Sequence, residues 1–140
     1  MLYGFLNPDG KRAALYTGTK VGFSSFMTDN EKTYEFIDTV FKEVSQISPS
    51  KYIQIGGDEA LNTTKEDYDY FVGRVAKIAQ KYGKTPIGWD PIDTSNQINS
   101  SVILQNWKDS NEEAVKKNMK IIVSIAGKTY LDMKYNKNTR

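Results

Sequence analysis

Short apolar runs and longer segments of helical periodicity alternate along this chain, and this alternation limits the possible fold more than any other feature. Residues 29–47 and 64–82 carry their apolar side chains at helical spacing. Four short apolar runs predict strands, at 51–55, 85–89, 102–107 and 121–124. This order predicts an α/β fold with about four parallel strands joined by crossover helices.

The ends of the first helix and the segment before the third strand carry local signals. Asp29 or Asn30 is a suitable cap at the start of the first helix, and Ser48, before a proline, ends it. Residues 90–101 are polar and show no helical period. We therefore predict a loop between the second and third strands.

Two further helix starts are predicted from capping-box spacing, in which a Ser or Thr precedes a Glu by three residues. Thr63 and Glu66 have this spacing before the second helix, and Gly83 is a typical stop at its end. Ser110 and Glu113 have the same spacing. They predict a short third helix before the last strand.

Polar and aromatic residues of chemical interest follow the predicted strands. They are Asp58 and Glu59, Trp89 and Asp90, Trp107, and then Tyr130 and Asp132. Clustering at the C-terminal ends of consecutive parallel strands is typical of the functional face of a (β/α)8 (TIM) barrel. A whole barrel needs roughly 250 residues, whereas this chain has 140. We therefore expect residues 1–140 to be about half of a barrel from a longer protein.

The segment 52–60 reads Tyr-Ile-Gln-Ile-Gly-Gly-Asp-Glu-Ala. A regular strand sends successive side chains to opposite faces. Gly56 and Gly57 let the backbone depart from that pattern, so that Asp58 and Glu59 can face one cavity. Paired carboxylates in different environments, one protonated and one charged, are how proteins cleave glycosidic bonds.

Composition excludes several other kinds of chemistry within this chain. It contains no Cys and no His, which rules out thiol nucleophiles, Ser-His-Asp triads and His-based metal sites. The net charge is only +2, so we expect neither nucleic acid nor an anionic membrane as a partner. No apolar run is long enough to span a bilayer. Catalysis must therefore use carboxylates, Tyr, Lys or the backbone, and we expect no cofactor or metal.

Gly-Gly-Asp-Glu also marks the cyclases that make cyclic di-GMP, in which the acids hold metal at a hairpin. Those proteins continue with Phe and a second strand. Here Ala60 follows, and the sequence then opens a helix. The pattern therefore disfavours a cyclase.

The two tryptophans suit a sugar pocket. Trp89 and Trp107 follow successive predicted strands, where single tryptophans most often serve packing. Two of them beside a carboxylate pair favour a carbohydrate site, because aromatic faces pack on the apolar C–H faces of sugar rings.

Six short blocks follow one another in a characteristic order: Thr33-Tyr34-Glu35-Phe36, Ile55-Gly56-Gly57-Asp58-Glu59, Gly88-Trp89-Asp90, Gln105-Asn106-Trp107, Ser124 and Tyr130-Leu131-Asp132. In this order they resemble the β-N-acetylhexosaminidases of glycoside hydrolase family 20. The resemblance covers most of the chain from about residue 21. It implies that residues 1–140 hold the central to late strands of that catalytic barrel.

The resemblance implies an exo-acting enzyme that removes terminal β-linked N-acetylhexosamine from a glycan by substrate-assisted, retaining catalysis. The acetamido oxygen of the substrate attacks the anomeric carbon and gives an oxazolinium. Glu59 is then the general acid and later the base. Asp58 stays ionised, holds the acetamido N–H and stabilises the positive charge.

The same resemblance assigns substrate-binding roles to four other side chains. Tyr130 donates a hydrogen bond to the acetamido oxygen, and Asp132 holds a sugar hydroxyl. Trp89 and Trp107 wall the acetamido pocket. By family resemblance, the expected location is extracellular or at a bacterial cell surface.

The sequence also departs from the family pattern. Gln54 stands where the family usually has His, and the strands that bring a sugar-binding Arg and a Trp platform lie outside this chain. We therefore expect the isolated chain to be inactive and to self-associate through exposed strand edges. Two alternatives stay open: a sugar-binding or interaction module without turnover, and a lacto-N-biosidase-like enzyme that releases a disaccharide.

Overall fold

Four parallel strands form the centre of the structure, a computed structural model that describes residues 17–20, 22, 25–108 and 110–131. They are β1 (Tyr52–Gln54), β2 (Thr85–Trp89), β3 (Ile103–Asn106) and β4 (Lys120–Val123). The strands pair in chain order, and every pair is parallel. The predicted four-stranded parallel sheet is confirmed, with each strand within one residue of its predicted bounds.

Two long helices pack side by side, and one of them lies on the sheet. They are α1 (Glu31–Ile47) and α2 (Lys65–Lys81). Helix α2 packs on β2 and α1 packs on α2. Arg74 of α2 joins the pair, because its guanidinium lies 3.6 Å from the centre of the Tyr34 ring and binds both carboxylate oxygens of Glu31. No helix in the described part of the chain is long and apolar enough to cross a membrane.

The predicted caps are right for α1 and wrong for the next two helices. Asn30 Oδ1 accepts the N–H of Lys32 at 3.0 Å, and Ser48 ends α1. Helix α2 is capped one residue later than predicted. Thr64 has the extended backbone of a cap, so its hydroxyl oxygen reaches the N–H of Asp67 at 3.2 Å. The pair Thr63–Glu66 therefore does not form the capping box.

Two short helices, α3 (Glu112–Lys116) and α4 (Ala126–Thr129), flank β4. Helix α3 begins after Asn111 without a side-chain cap, so the predicted Ser110–Glu113 box is wrong. Ser110 is held elsewhere, because its carbonyl oxygen accepts a bond from Asn106 Nδ2 at 3.3 Å. Helix α4 was not predicted, since four residues are too few to show a period.

The segment 90–101 is a loop, as predicted, but some of its side chains are buried in the core. Its residues Ile92–Thr94 form one turn of 3-10 helix, and Ile92 and Ile98 are buried. Ile92 fills the space above Gly88, where an added Cβ would lie 2.3 Å from Ile92 Cδ1. The segment therefore belongs to the core between the sheet and α2.

The two faces of the sheet have different neighbours. Pro86 and Gly88 of β2 are buried toward the helices, while Ile87 and Trp89 alternate onto the other face and are half-buried. The core on the helix side consists of Tyr68, Val72, Ala76, Ile92, Ile98, Val102, Leu104, Ala114 and Met119. The opposite face and the C-terminal ends of the strands are therefore available to form a site.

Candidate active site

Five of the six predicted site residues line one pocket at the C-terminal ends of the strands. The pocket has a volume of about 210 Å³ and is lined by Asp58, Glu59, Trp89, Trp107 and Tyr130. Both carboxylic acids are exposed, and the three aromatic side chains are half-buried. The sixth residue, Asp132, lies outside the described residues.

The backbone after β1 leaves the strand conformation at three of four consecutive positions. Gly56, Gly57 and Glu59 have φ values of 77°, 106° and 50°. An added Cβ on Gly56 would meet nothing within 4 Å, so this position needs glycine for its backbone conformation and not for space. Glu59 has no such freedom, and a non-glycine residue at positive φ is uncommon. Strain of this kind clusters at functional sites.

Hydrogen bonds to main-chain oxygens hold this turn in place. The Trp89 N–H donates to Gly56 O at 2.9 Å, and the Tyr68 hydroxyl donates to Gly57 O at 2.7 Å. Burial, followed by the negative charges of Asp93 and Asp58, raises the pKa of Tyr68. The Tyr68 hydroxyl therefore stays protonated and remains a donor.

Trp107 is held by the loop that follows β2. Its indole Nε1–H donates to Asp90 O at 2.9 Å. The Asp90 side chain is buried and pairs with Lys108 Nζ at 3.0 Å, while the same ammonium lies 5.0 Å from the centre of the Trp107 ring. The ring that walls the pocket is thus fixed by contacts with a residue 17 positions earlier.

Asn106 supports the same wall from below. It is 1% exposed, and its Oδ1 accepts the N–H of Lys108 at 3.0 Å. Trp107 O in turn accepts the N–H of Ala126, the first residue of α4, which leads to Tyr130. From the sequence, Asn106 was recognised as part of the block Gln105-Asn106-Trp107, but no role was predicted for it. A polar residue in a buried strand is the signal that singles it out.

Two buried aspartates lie behind this wall, in the loop after β2. Asp93 is 5% exposed. Burial, and then the charge of Asp90, raises the pKa of Asp93, whose carboxylate accepts bonds from the backbone N–H groups of Asp93 and Ala114. The Asp93 carboxyl group of this loop is therefore easier to protonate in the folded protein than an ordinary aspartic acid.

A second, larger cavity adjoins the first. Its volume is about 400 Å³, and it shares Glu59 and Trp107 with the pocket. Lys65 and Lys108 also line it, and both ammonium groups are paired with carboxylates. Glu59 is therefore accessible from both cavities.

The chemistry available here is that of carboxylates and aromatic rings. Among residues 17–20, 22, 25–108 and 110–131, no group of three or more His, Cys, Asp or Glu side chains is placed to hold a metal ion. The strand after the acids is parallel to β1 and is reached through α2, which does not fit the hairpin of a cyclase. Paired carboxylates with aromatic walls at the strand ends of a (β/α)8 fold are typical of glycoside hydrolases.

Comparison with known proteins leads to the same class. Residues 8–140 match the family described as glycosyl hydrolase family 20, catalytic domain. The chain belongs to this family.

Individual relatives support the assignment. A beta-N-acetylhexosaminidase of Cellulomonas fimi is 34% identical over 98% of this chain, which spans 28% of that protein. The beta-N-acetylhexosaminidase of Streptomyces coelicolor A3(2) superposes with a TM-score of 0.86 at 40% identity, over 99% of this chain and 30% of that one. A mutant beta-hexosaminidase of Streptomyces plicatus in complex with product (GlcNAc) gives a TM-score of 0.83 at 40% identity, with the same coverage. The structure is therefore a partial (β/α)8 barrel of this family.

Proposed function

We propose that this chain contributes the acid pair and the acetamido pocket of an exo-acting β-N-acetylhexosaminidase. The observation that carries the proposal is the single pocket in which Asp58 and Glu59 face Trp89, Trp107 and Tyr130. The substrate would be a glycan that ends in a β-linked N-acetylhexosamine. A relative of this chain holds GlcNAc as product.

In the proposed reaction the 2-acetamido oxygen of the sugar attacks the anomeric carbon and the glycosidic bond breaks. Glu59 donates its proton to the leaving oxygen and later takes one from the attacking water. Asp58 remains ionised, accepts the acetamido N–H and stabilises the positive charge of the oxazolinium. Water then opens that ring with net retention. The exposure of both acids at one pocket is compatible with these two roles.

The aromatic side chains would position the acetamido group. Trp89 and Trp107 would enclose its methyl group, and Tyr130 would donate a hydrogen bond to its oxygen. Asp132 would bind a sugar hydroxyl. The contacts of Trp107 with Asp90 and Ala126 support this proposal, because a wall must be rigid to orient the attacking oxygen.

We further propose that residues 1–140 are the central to late part of a longer catalytic barrel. The chain spans 28–30% of the relatives compared above. Within the described part of the sheet, β1 and β4 each have one partner strand, and Val123 of β4 is 64% exposed. The isolated chain should therefore self-associate and lack turnover. Light scattering that shows a monomer, with hydrolysis at the rate of the full-length protein, would contradict this expectation.

The deciding experiment assays the full-length protein on two nitrophenyl β-glycosides, one of N-acetylglucosamine and one of glucose. Only the first carries the internal nucleophile, so only the first should be hydrolysed. Comparable hydrolysis of both would overturn the substrate-assisted mechanism. Saturable binding of N-acetylglucosamine without turnover would instead indicate a sugar-binding module. Release of a disaccharide from a lacto-N-bioside substrate would indicate the third alternative.

A further inference from the structure

Three uncharged side chains form a hydrogen-bonded chain across the face of the sheet that carries the pocket. Gln54 Nε2, at the end of β1, donates to Gln105 Oε1 of β3 at 2.8 Å. Gln105 Nε2 donates to Ser124 Oγ, just after β4, at 3.2 Å. The first two residues are 51 positions apart. The chain thus connects three strand ends through side chains alone.

The direction of these bonds is set by the backbone at one end. Gln54 Oε1 accepts the N–H of Gly56 at 3.1 Å, and a backbone N–H can only donate. The Gln54 amide oxygen must therefore face Gly56, and its NH₂ must face Gln105. The oxygen of Gln105 then faces Gln54, and its NH₂ faces Ser124. The orientations of both Gln side-chain amides therefore follow from the Gly56 N–H, which can only donate.

The peptide groups at Gly56 are thereby held from both sides. Its N–H binds Gln54, and its C=O accepts the N–H of Trp89 at 2.9 Å. Gly56 has a positive φ and lies two residues before Asp58. Any rotation of this peptide would change the direction in which both acids leave β1.

The other end of the chain meets the opposite wall of the pocket. The Ser124 N–H donates to Asn106 O at 2.8 Å, and the next residue, Ile125, begins the connection through α4 to Tyr130. The chain therefore joins the strand end that carries the acids to the strand end that leads to Tyr130.

We propose that Gln54 is a positioning residue, which acts through Gln105 and Ser124 to hold the Gly56 peptide and so to orient Asp58 and Glu59. The proposal rests on the proposed function for its kinetic consequences but not for its structural ones. The Gln54 side chain is not among the residues that line the pocket, and it carries no charge. Its effect is therefore geometric.

The first test reads the hydrogen bond directly and needs no activity. Hydrogen exchange of the full-length protein is followed by mass spectrometry at the Gly56 amide, in the wild type and in Gln54→Leu. We expect exchange about 3- to 10-fold faster in the variant, the effect of losing one ordinary hydrogen bond. Gln80→Leu is the matched control, because it removes a similar bond, Gln80 Nε2 to Ser101 Oγ at 2.8 Å, away from the pocket. Equal exchange in all three proteins would overturn the proposal.

The second test is kinetic. Gln54→Leu should lower kcat about 3- to 10-fold with KM nearly unchanged, because the side chain orients the acids and does not bind sugar. The loss should decrease along the chain, from Gln54→Leu to Gln105→Leu to Ser124→Ala, with no loss in Gln80→Leu. Equal losses at all four positions, or a change confined to KM, would contradict a positioning role.

Gln54→Glu keeps the test decisive if the leucine variant does not fold. The ionised carboxylate accepts the Gly56 N–H more strongly than a neutral side chain does, whereas the protonated carboxyl group is a weaker acceptor. Gln105 can turn its amide to donate to the carboxylate. The ratio of variant to wild-type exchange rate at the Gly56 amide should therefore fall as the pH rises through the carboxyl pKa, ordinarily about 4.3. A flat ratio, or one that rises with pH, would refute the proposal.

If the full-length protein hydrolyses no N-acetylhexosaminide, the proposed function fails while the exchange measurement still decides the role of Gln54. If hydrolysis is present and Gly56 exchange is unaffected by Gln54→Leu, the proposed function stands and this inference fails.

Discussion

The ends of β1 and β3 face the same pocket but are stabilised in opposite ways. After β1, Asp58 and Glu59 are exposed, and the turn depends on unusual backbone angles and on bonds to main-chain oxygens. After β3, Trp107 donates to the main-chain oxygen of Asp90, and the buried side chains of Asp90 (7% exposed) and Asn106 (1% exposed) bind the neighbouring Lys108. Few buried side chains hold the acid-bearing segment after β1 in place, whereas several hold the segment after β3.

Because of this difference, residues after β1 should contribute mainly to catalysis and residues after β3 mainly to the stability of the fold. Exposed side chains contribute little to the free energy of unfolding, so the acids can be changed without loss of the fold. Buried hydrogen-bonded groups are costly to remove, because their partners are left without water or protein donors. Substitutions after β1 should therefore reduce activity first, and substitutions after β3 should reduce stability first.

The largest effect is expected at Glu59. Glu59→Gln removes the proton donor and should lower the rate on a natural disaccharide, a poor leaving group, by about 10²–10⁴-fold. Asp58→Asn should also be severe, because the developing cation loses its counter-charge. Both variants should unfold within about 0.5 kcal/mol of the wild type. Full activity of Glu59→Gln would disprove its role, and marked destabilisation would break the contrast between the two strand ends.

Asn106→Ala should give the largest loss of stability. It removes the bonds to the Lys108 N–H and the Ser110 carbonyl and should lower the unfolding free energy by about 2–3 kcal/mol. Denaturant titration of the full-length protein measures this value. Asn96→Ala is the control, because Asn96 is exposed and its side chain bonds to the adjacent Gln97. Equal stability of the two variants would show that Asn106 does not support the Trp107 wall.

Two glycines test whether space or backbone conformation limits each region. Gly88→Ala places a Cβ 2.3 Å from Ile92 Cδ1 and should cost about 1–3 kcal/mol of stability by overpacking. Gly56→Ala meets no neighbouring atom but has φ 77°, so it should cost about 1 kcal/mol and reduce kcat more than Gly88→Ala does. Gly127→Ala, with open space and a position in α4, should not lower stability, because Ala is favoured over Gly in a helix. Thermal unfolding and kcat are measured for all three variants. A larger stability loss in Gly56→Ala than in Gly88→Ala would contradict the expected difference between the two regions.

The smallest expected effect is the pH dependence that Asp93 adds behind the Trp107 wall. Because its folded pKa is raised, Asp93 favours the fold when protonated, and this contribution is full below its ordinary pKa and is lost as pH rises through the folded value. Asp93→Asn does not titrate, so its stability relative to the wild type should rise as the pH rises through the folded pKa of Asp93. Unfolding midpoints from acid to neutral pH measure it. A difference that is constant with pH would show that Asp93 does not titrate in a perturbed state.

The fold was predictable from sequence to the extent that it depends on neighbours along the chain. The strand 85–89 and the end of the first helix at 47 were predicted at their observed positions, because alternation and helical spacing are local patterns. The cap at Thr64 was missed by one residue, since two adjacent threonines offer the same chemistry and only the backbone angle selects one. The burial of Ile92 was also missed, because its neighbour Gly88 reaches it only through the fold.

The chemistry of Asp58 and Glu59 was visible because the whole signal, an apolar strand, two glycines and two acids, lies within one short segment. The sequence by itself also determined the strand order along the chain and the absence of Cys and His, which leaves carboxylates, Tyr, Lys and the backbone for chemistry. Only the tertiary structure decided that Gln54 meets Gln105, that Asp90 holds Trp107, and that Tyr130 closes the same pocket. The first two contacts join residues 51 and 17 positions apart. Local patterns cannot encode such pairs, because their geometry depends on sheet register and on the packing of every element between them.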